Sequence, residues 1–448
     1  MKQYLEANRQ RFLDELFELL RIPSISSDPS RKADMVRCAG YLAKLLKEAG
    51  ADRAEVCPTT GNPVVFAEKI IDHAARTVLV YGHYDVMPVD PLELWNSDPF
   101  EPVIKDGAIW ARGANDDKGQ TFMHIKVFEY LVRTGQLRHN IKFILEGEEE
   151  MGSEALSKWI PEHTDLLSSD VFLVSDTTMI SDKVPSINCG MRGITYMEVK
   201  VKGPDKDLHS GHYGGAVYNP IDTLCQMIAS LKDADGHITI KGFYDEVVEL
   251  SAQDRQMLGR APYDEAEYKA SIGVGALTGE AGYTTLERTG IRPCLDVNGI
   301  WGGYTGEGSK TVIPSEAHAK ISMRLVPNQD SGRIAELFAE HFRAIAPAGV
   351  TVEVEEKHGG NGFLIPISSP AYKAAARAMG EVYGIEPVPS RGGGSIAILA
   401  EMQQALGADP LLMGFGLERD AIHSPNESYL LQQFERGLLS IALFYKYY

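Results

Sequence analysis

Cysteine is scarce and scattered. The five residues Cys38, Cys57, Cys189, Cys225 and Cys294 form no CxxC pair, so neither a disulfide framework nor a thiolate zinc site is expected. They are expected instead to be small buried hydrophobes in a reducing compartment. No apolar run approaches the roughly 20 residues that cross a bilayer, and Met1 to Ala7 lack the apolar core of a signal peptide. A soluble cytoplasmic protein with no membrane partner is the expectation. Basic charge is also short: 44 Lys and Arg stand against 62 Asp and Glu, a formal net charge of −18. Phosphate binding needs clustered cations, so nucleic acid is excluded as a partner. Repeats and low-complexity tracts are missing as well. The hydrophobic share of 44% rules out disorder, and 448 residues exceed one compact core, predicting two or three domains.

What is present is a set of acids and histidines placed just after short apolar runs. Val78 to Tyr81 lead into Gly82-His83-Tyr84-Asp85, and Arg112 to Asn115 lead into Asp116-Asp117-Lys118-Gly119. Ile141 to Leu145 end in Glu146-Gly147-Glu148-Glu149-Glu150, Val171 to Val174 in Ser175-Asp176, and Leu411 to Gly416 precede His423. Continuous apolar runs of this length suit buried parallel strands. Open α/β sheets gather ligands at the carboxyl ends of such strands.

A two-metal hydrolytic site needs a bridging carboxylate, terminal nitrogen and oxygen ligands, and a general base. The candidate ligands are His83, Asp116, Glu150, Asp176 and His423, with Glu149 as base. Three carboxylates against two divalent ions leave a nearly neutral loaded site and a strongly anionic empty one, so metal should stabilise the fold. Asp85, two residues past His83, is placed to accept the other imidazole N–H. Two imidazoles and three carboxylates suit zinc, with manganese or cobalt tolerated.

Along the chain, helices are predicted over about 5–20, closed by Pro23, and over 35–49, stopped by Gly50. A hairpin over 100–110 turns on Asp106-Gly107. From Arg192 the pattern changes to an alternating strand over 194–201, a helix over 220–234, an irregular acidic stretch, a strand over 317–325, a helix over 332–346 and a strand over 350–355. The expected fold class is α/β: a mixed, mostly parallel sheet sandwiched by helices, with an inserted α+β ferredoxin-like domain. The predicted division is a catalytic part over 1–191, an insert over 192–358 and a second catalytic part over 359–448.

These segments resemble the co-catalytic metallopeptidases that include aminoacylases, carboxypeptidases and carnosinase-like cytosolic dipeptidases. Gly82 to Pro88, Arg112-Gly113 with Asp116 to Gly119, and Glu146 to Ser153 are similar to its first three blocks. Leu208-His209-Ser210-Gly211, Thr311-Val312-Ile313-Pro314 and Arg324-Leu325-Val326-Pro327 resemble most the dipeptidase branch, and the likeness runs in order along essentially the whole chain. The resemblance implies that Asp116 bridges the ions, with His83 and Asp176 on one and Glu150 and His423 on the other. Glu149 would draw a proton from the water between the ions and pass it to the leaving amine. The Asp116–Asp117 bond would be cis. His209 would stabilise the oxyanion, in its own or a partner subunit's site. Arg324 with the loop at Gly394 and Ser395, and Thr311, would hold the substrate's carboxylate. The insert would be a lid and a homodimer contact.

The expected activity is metal-dependent hydrolysis of the amide bond of dipeptides or short peptides with a free carboxyl end. The alternative on the same scaffold is deacylation of N-acyl amino acids. A serine hydrolase reading of Gly393-Gly394-Ser395-Ile396-Ala397 lacks the final glycine of a nucleophile elbow. A binding protein without activity is disfavoured by the presence of Glu149 beside five candidate ligands.

Overall fold

A computed structural model describes residues 1–394 and 396–448, with the backbone alone of 253, 254 and 257. The chain divides into two compact units, Met1–Cys189 with Ile365–Ser390 and Glu401–Tyr448, and Gly190–Leu364 with Arg391–Ala400.

The first unit is built on a mixed sheet. Seven of its strands run in the order Arg53–Cys57, Val64–Lys69, Asn140–Glu146, Thr77–His83, Val171–Val174, Asp409–Leu412 and Ser186–Met191. The central four are parallel. Antiparallel pairings flank them on both sides. The central four are the apolar runs of the sequence, and all seven residues of Asn140–Glu146 are buried. Parallel strands covered on both faces need such unbroken runs, whereas a strand with one wet face alternates.

The helix Lys118–Arg133 is buried over fourteen consecutive residues. Its polar side chains are therefore all partnered or neutral. Lys126 donates to Glu129 at 3.0 Å and to Glu15. Lys118 Nζ donates to the carbonyl of Ile22 at 2.6 Å, just beyond the end of the helix Lys2–Leu20. That first helix ends at Leu20, three residues before Pro23.

The 100–110 hairpin forms from Val103–Lys105 and Ala108–Trp110. Asp106 and Gly107 both take positive φ, 51° and 75°, as a two-residue turn matched to strand twist requires. The hairpin does not join the main sheet; its Ala108–Trp110 strand pairs with Ser428–Leu430 in a separate three-stranded sheet.

The second unit carries a four-stranded antiparallel sheet in the order Cys294–Gly302, Glu316–Leu325, Gly193–Lys202 and Thr351–Gly360. With helices Pro220–Ala229 and Ser331–Ala344 it gives the β-α-β-β-α-β arrangement of a ferredoxin-like domain. Gly193–Lys202 alternates buried and half-buried residues throughout. Met197, Val199 and Val201 on its buried face join Ile321, Met323, Phe338 and Phe342 in one core.

Three expectations need correction. The helix from Pro220 stops at Ala229 rather than 234, and the chain turns beyond it, where Asp233 Oδ1 accepts the N–H groups of Asp235 and His237 and the Leu231 carbonyl accepts the Thr239 N–H. The return from the insert is not a single crossing at 359. Residues 391–400 belong to the second unit, where Arg192 donates to the Gly393 carbonyl and a Cβ on Gly360 would meet Ala397 at 2.7 Å. Cysteine burial is incomplete: Cys38 and Cys189 are buried, but Cys225 is exposed, and all five are free. Among the described residues no helix is long and apolar enough to cross a membrane.

Candidate metal centre

Four of the candidate side chains hang from the carboxyl ends of the central strands or the loops just beyond them. His83 is the last residue of Thr77–His83. Glu149 and Glu150 open a short 3₁₀ turn after Asn140–Glu146. Asp176 lies two residues beyond Val171–Val174. Asp116 sits at the start of the buried helix, and its peptide bond to Asp117 is cis.

His423 comes from a loop whose backbone is unusual. Ala421, His423 and Asn426 take φ of 55°, 63° and 66°. Left-handed backbone is costly for residues other than glycine and persists where its surroundings impose it, commonly at functional sites.

These side chains converge on Asp116. Its Oδ1 lies 3.1 Å from His83 Nε2, and its Oδ2 lies 2.9 Å from His423 Nε2. His83 Nε2 is 3.8 Å from Asp176 Oδ2, and His423 Nε2 is 3.1 Å from Glu150 Oε2. Ligand atoms of His83, Asp116 and Asp176 all fall within 4.8 Å of one another, as do those of Asp116, Glu150 and His423. Each group could hold a cation, and Asp116 is common to both.

Asp85 is tied in differently from the simple expectation. His83 Nδ1 lies 3.1 Å from the Asp85 backbone carbonyl and 3.4 Å from its Oδ1. The carboxylate oxygens accept the backbone N–H groups of Glu149 and Glu150 at 3.3 and 3.2 Å. One buried acid therefore connects the histidine to the acidic turn. Asp117 accepts from Thr121 Oγ1 at 2.6 Å and from the His83 N–H at 3.2 Å.

The electrostatics come from packing many acids in a dry place. Burial pushes Asp176 well above the usual carboxylate range and raises Glu150. Burial, opposed by His83 and reinforced by the neighbouring Glu150, Asp116 and Asp85, pushes Glu149 up to about 7. Burial would also raise Asp116, but hydrogen bonds from His423 and His83 hold it below its ordinary value. Hydrogen bonds to Asp116 and Glu150 push His423 up to about 10. A cluster that must take up protons to be tolerated is one that divalent cations can neutralise instead. Imidazoles alternating with carboxylates are a donor set that fits such cations.

Residues 79–446 match the model of peptidase family M20/M25/M40. The chain belongs to this family. It is thus a metallopeptidase of that family, with the fold that family shares. The chain is 30% identical to Cys-Gly metallodipeptidase DUG1 of Saccharomyces cerevisiae, across 100% of this chain and 97% of the relative. It is 32% identical to the Beta-Ala-His dipeptidase of Homo sapiens, across 99% and 91%. Among solved structures, the M20 family metallo-carboxypeptidase Sso-CP2 of Sulfolobus solfataricus superposes with a TM-score of 0.86 at 32% identity, covering 97% of this peptidase and 98% of that chain.

The remaining candidates lie in the second unit. His209 Nδ1 accepts the Gly211 N–H at 3.0 Å, and its ring stacks on His212 at 4.5 Å. The Thr311 carbonyl accepts the Ser210 N–H at 3.1 Å, just past the end of the two-stranded ladder in which His209 pairs with Val312. Arg324 is half-buried in Glu316–Leu325, opposite Cys294 and Ile194. Gly394 is exposed in a bend, and Ser395 lies outside the described residues.

Sequence reasoning missed Glu427, and it named Arg112 only as part of a family-like block without giving it a role. Both are buried, at 0% and 1% exposure, and Arg112 Nη1 donates to Glu427 Oε2 at 2.8 Å. Glu427 stands only four positions after His423, but nothing in that spacing shows what its carboxylate holds.

Proposed function

We propose that this peptidase hydrolyses the amide bond of dipeptides or short peptides carrying a free carboxyl terminus, using two divalent ions. The observation that carries the reading is the pair of donor groups sharing Asp116. His83 and Asp176 would complete one ion's site, and Glu150 and His423 the other's. Zinc is the first choice for this donor set, with manganese or cobalt as substitutes. The dipeptidase names of two relatives matched over nearly their whole length support the substrate class.

Bound ions would polarise the scissile carbonyl and lower the pKa of water. The rest falls to the chain. Asp116 directs its two oxygens to opposite sides, toward His83 and His423. Glu149, half-buried beside the donor groups, takes a proton from the attacking water onto its carboxylate and gives it to the leaving amine nitrogen. Asp85 fixes the Glu149 backbone through its N–H. The roles of His209 toward the oxyanion, and of Arg324, Thr311, Gly394 and Ser395 toward the substrate's carboxylate, belong to the same proposal and rest on sequence resemblance. So do the cytoplasmic location and a homodimer formed through the inserted domain. For the homodimer, the exposed Ile300 and Trp301 on an edge strand of that domain are a further support.

The test is a panel of dipeptides, Cys-Gly and β-Ala-His among them, beside N-acyl amino acids, assayed after reconstitution with zinc, manganese or cobalt. Cleavage of dipeptides is expected. Cleavage of acyl substrates alone would replace this reading with the deacylase.

A further inference from the structure

We propose that Glu427 is a positioning residue whose carboxylate presets the loop carrying Asp116 before any ion arrives. Oε2 accepts from Arg112 Nη1 at 2.8 Å and from the Gly113 N–H at 2.9 Å. Oε1 accepts the N–H groups of Asn115 at 3.0 Å and Asp116 at 3.1 Å. One side chain thus gathers three backbone donors and a guanidinium across the whole turn from Arg112 to Asp116.

Glu427 is itself fixed by the ladder beside it. Its carbonyl accepts the Ala111 N–H at 3.2 Å, and the next residue begins the strand that pairs with Ala108–Trp110. A second acid reinforces the junction. Asp420 Oδ2 accepts from Asn115 Nδ2 at 2.7 Å and from the Leu417 N–H at 2.8 Å. The segment that delivers His423 therefore also grips the loop that delivers Asp116, so the two sides of the cluster are set by one piece of chain. An anionic acceptor is required: an amide at position 427 would turn an NH₂ toward either Arg112 or the Asn115 and Asp116 N–H groups, donor against donor. Arg112 offsets the charge, so the clamp adds no net anion to an already acidic site.

The inference rests on the reading that Asp116 serves both ions. Outer partners that orient a ligand typically contribute about 10- to 100-fold in metal affinity. Glu427→Gln should therefore lose that factor for both ions, measured by competition with a chromogenic chelator. Leu42→Ala, a core change in the helix Lys32–Ala49, supplies a variant destabilised elsewhere whose affinity should match wild type. Wild-type affinity in Glu427→Gln, or an equal loss in Leu42→Ala, would overturn the proposal.

Should Glu427→Gln not fold, hydrogen exchange on the wild-type protein decides. The Gly113, Asn115 and Asp116 amides should be as protected in the chelated protein as in the metal-loaded one. Fast exchange there, with Ile109 still protected, would show that the ions order the loop and Glu427 does not. A wild-type protein that takes up no metal would end the functional reading above while leaving the exchange result to judge the clamp.

Discussion

Asp116 and His423 meet at 2.9 Å, Oδ2 to Nε2, although one opens a buried helix and the other sits in a distant left-handed loop. Asp116 turns its other oxygen to His83. This shared carboxylate makes the individual donors unequal in what their loss would do.

Asp116→Asn should abolish binding of both ions, whereas Asp176→Asn should weaken only the one beside His83. Metal content after equilibrium dialysis, read by elemental analysis, separates the two. Equal residual content in both variants would contradict a shared ligand. Loading wild type should also raise its melting temperature, since binding to the folded state alone stabilises it.

Glu149 lies beside the donor groups without belonging to either. Glu149→Gln should keep its metal and lose turnover by about 10²- to 10⁴-fold, the usual contribution of a general base. Metal content and kcat measured on one preparation test this. Wild-type turnover in that variant would remove the mechanism.

His124 offers a pH signature outside the donor set. It is buried, and burial pushes its pKa down to about 3. Ser175 donates its hydroxyl to the Met413 carbonyl, so His124 Nε2 donates to Ser175 Oγ at 2.7 Å. Its Nδ1 is buried without a partner and has nowhere to place a second proton. The unfolded chain gains that proton below about pH 6.5 and the folded one does not. Stability from this group is thus full above pH 6.5 and falls toward pH 3, by up to about 1.4 kcal/mol per pH unit. His124→Gln should flatten the slope of unfolding free energy between pH 6.5 and 4, both proteins being measured in chelator. An unchanged slope would show that His124 does not titrate this way.

Gly119 tests how closely the buried helix approaches the Asp116 loop. A Cβ there would lie 1.8 Å from the Ala114 carbonyl oxygen, and a backbone atom cannot swing aside. Gly119→Ala should cost at least the roughly 1–3 kcal/mol of an overpacked core and weaken metal binding with it. Gly135→Ala, where a Cβ meets nothing within 4 Å but φ is +65°, should strain only its own backbone and leave metal affinity unchanged. Urea unfolding and chelator competition on both variants provide the comparison.

Much of this arrangement could be read in advance. The runs before His83, Glu149 and Asp176 are apolar without alternation because the strands are buried on both faces. That pattern places the residues just after each run at one edge of a sheet. The alternation over 194–201 likewise marked a strand with one wet face. The turn at Asp233 stayed hidden, because its bonds run from a side chain to amides two and four residues ahead, and the same residues can continue a helix.

The sequence alone determined which residues could bind cations and that short-range pattern sets His83, Glu149, Glu150 and Asp176 at or just past strand ends, since strand period and burial are local properties. Tertiary structure alone decided which Asp116 oxygen faces which histidine, that Asp85 spends its carboxylate on the Glu149 and Glu150 amides, and that Glu427 holds the Asp116 loop. Those are contacts between segments far apart along the chain, and no spacing encodes the direction in which a buried carboxylate points. That direction is fixed only when packing leaves each N–H a single acceptor within reach.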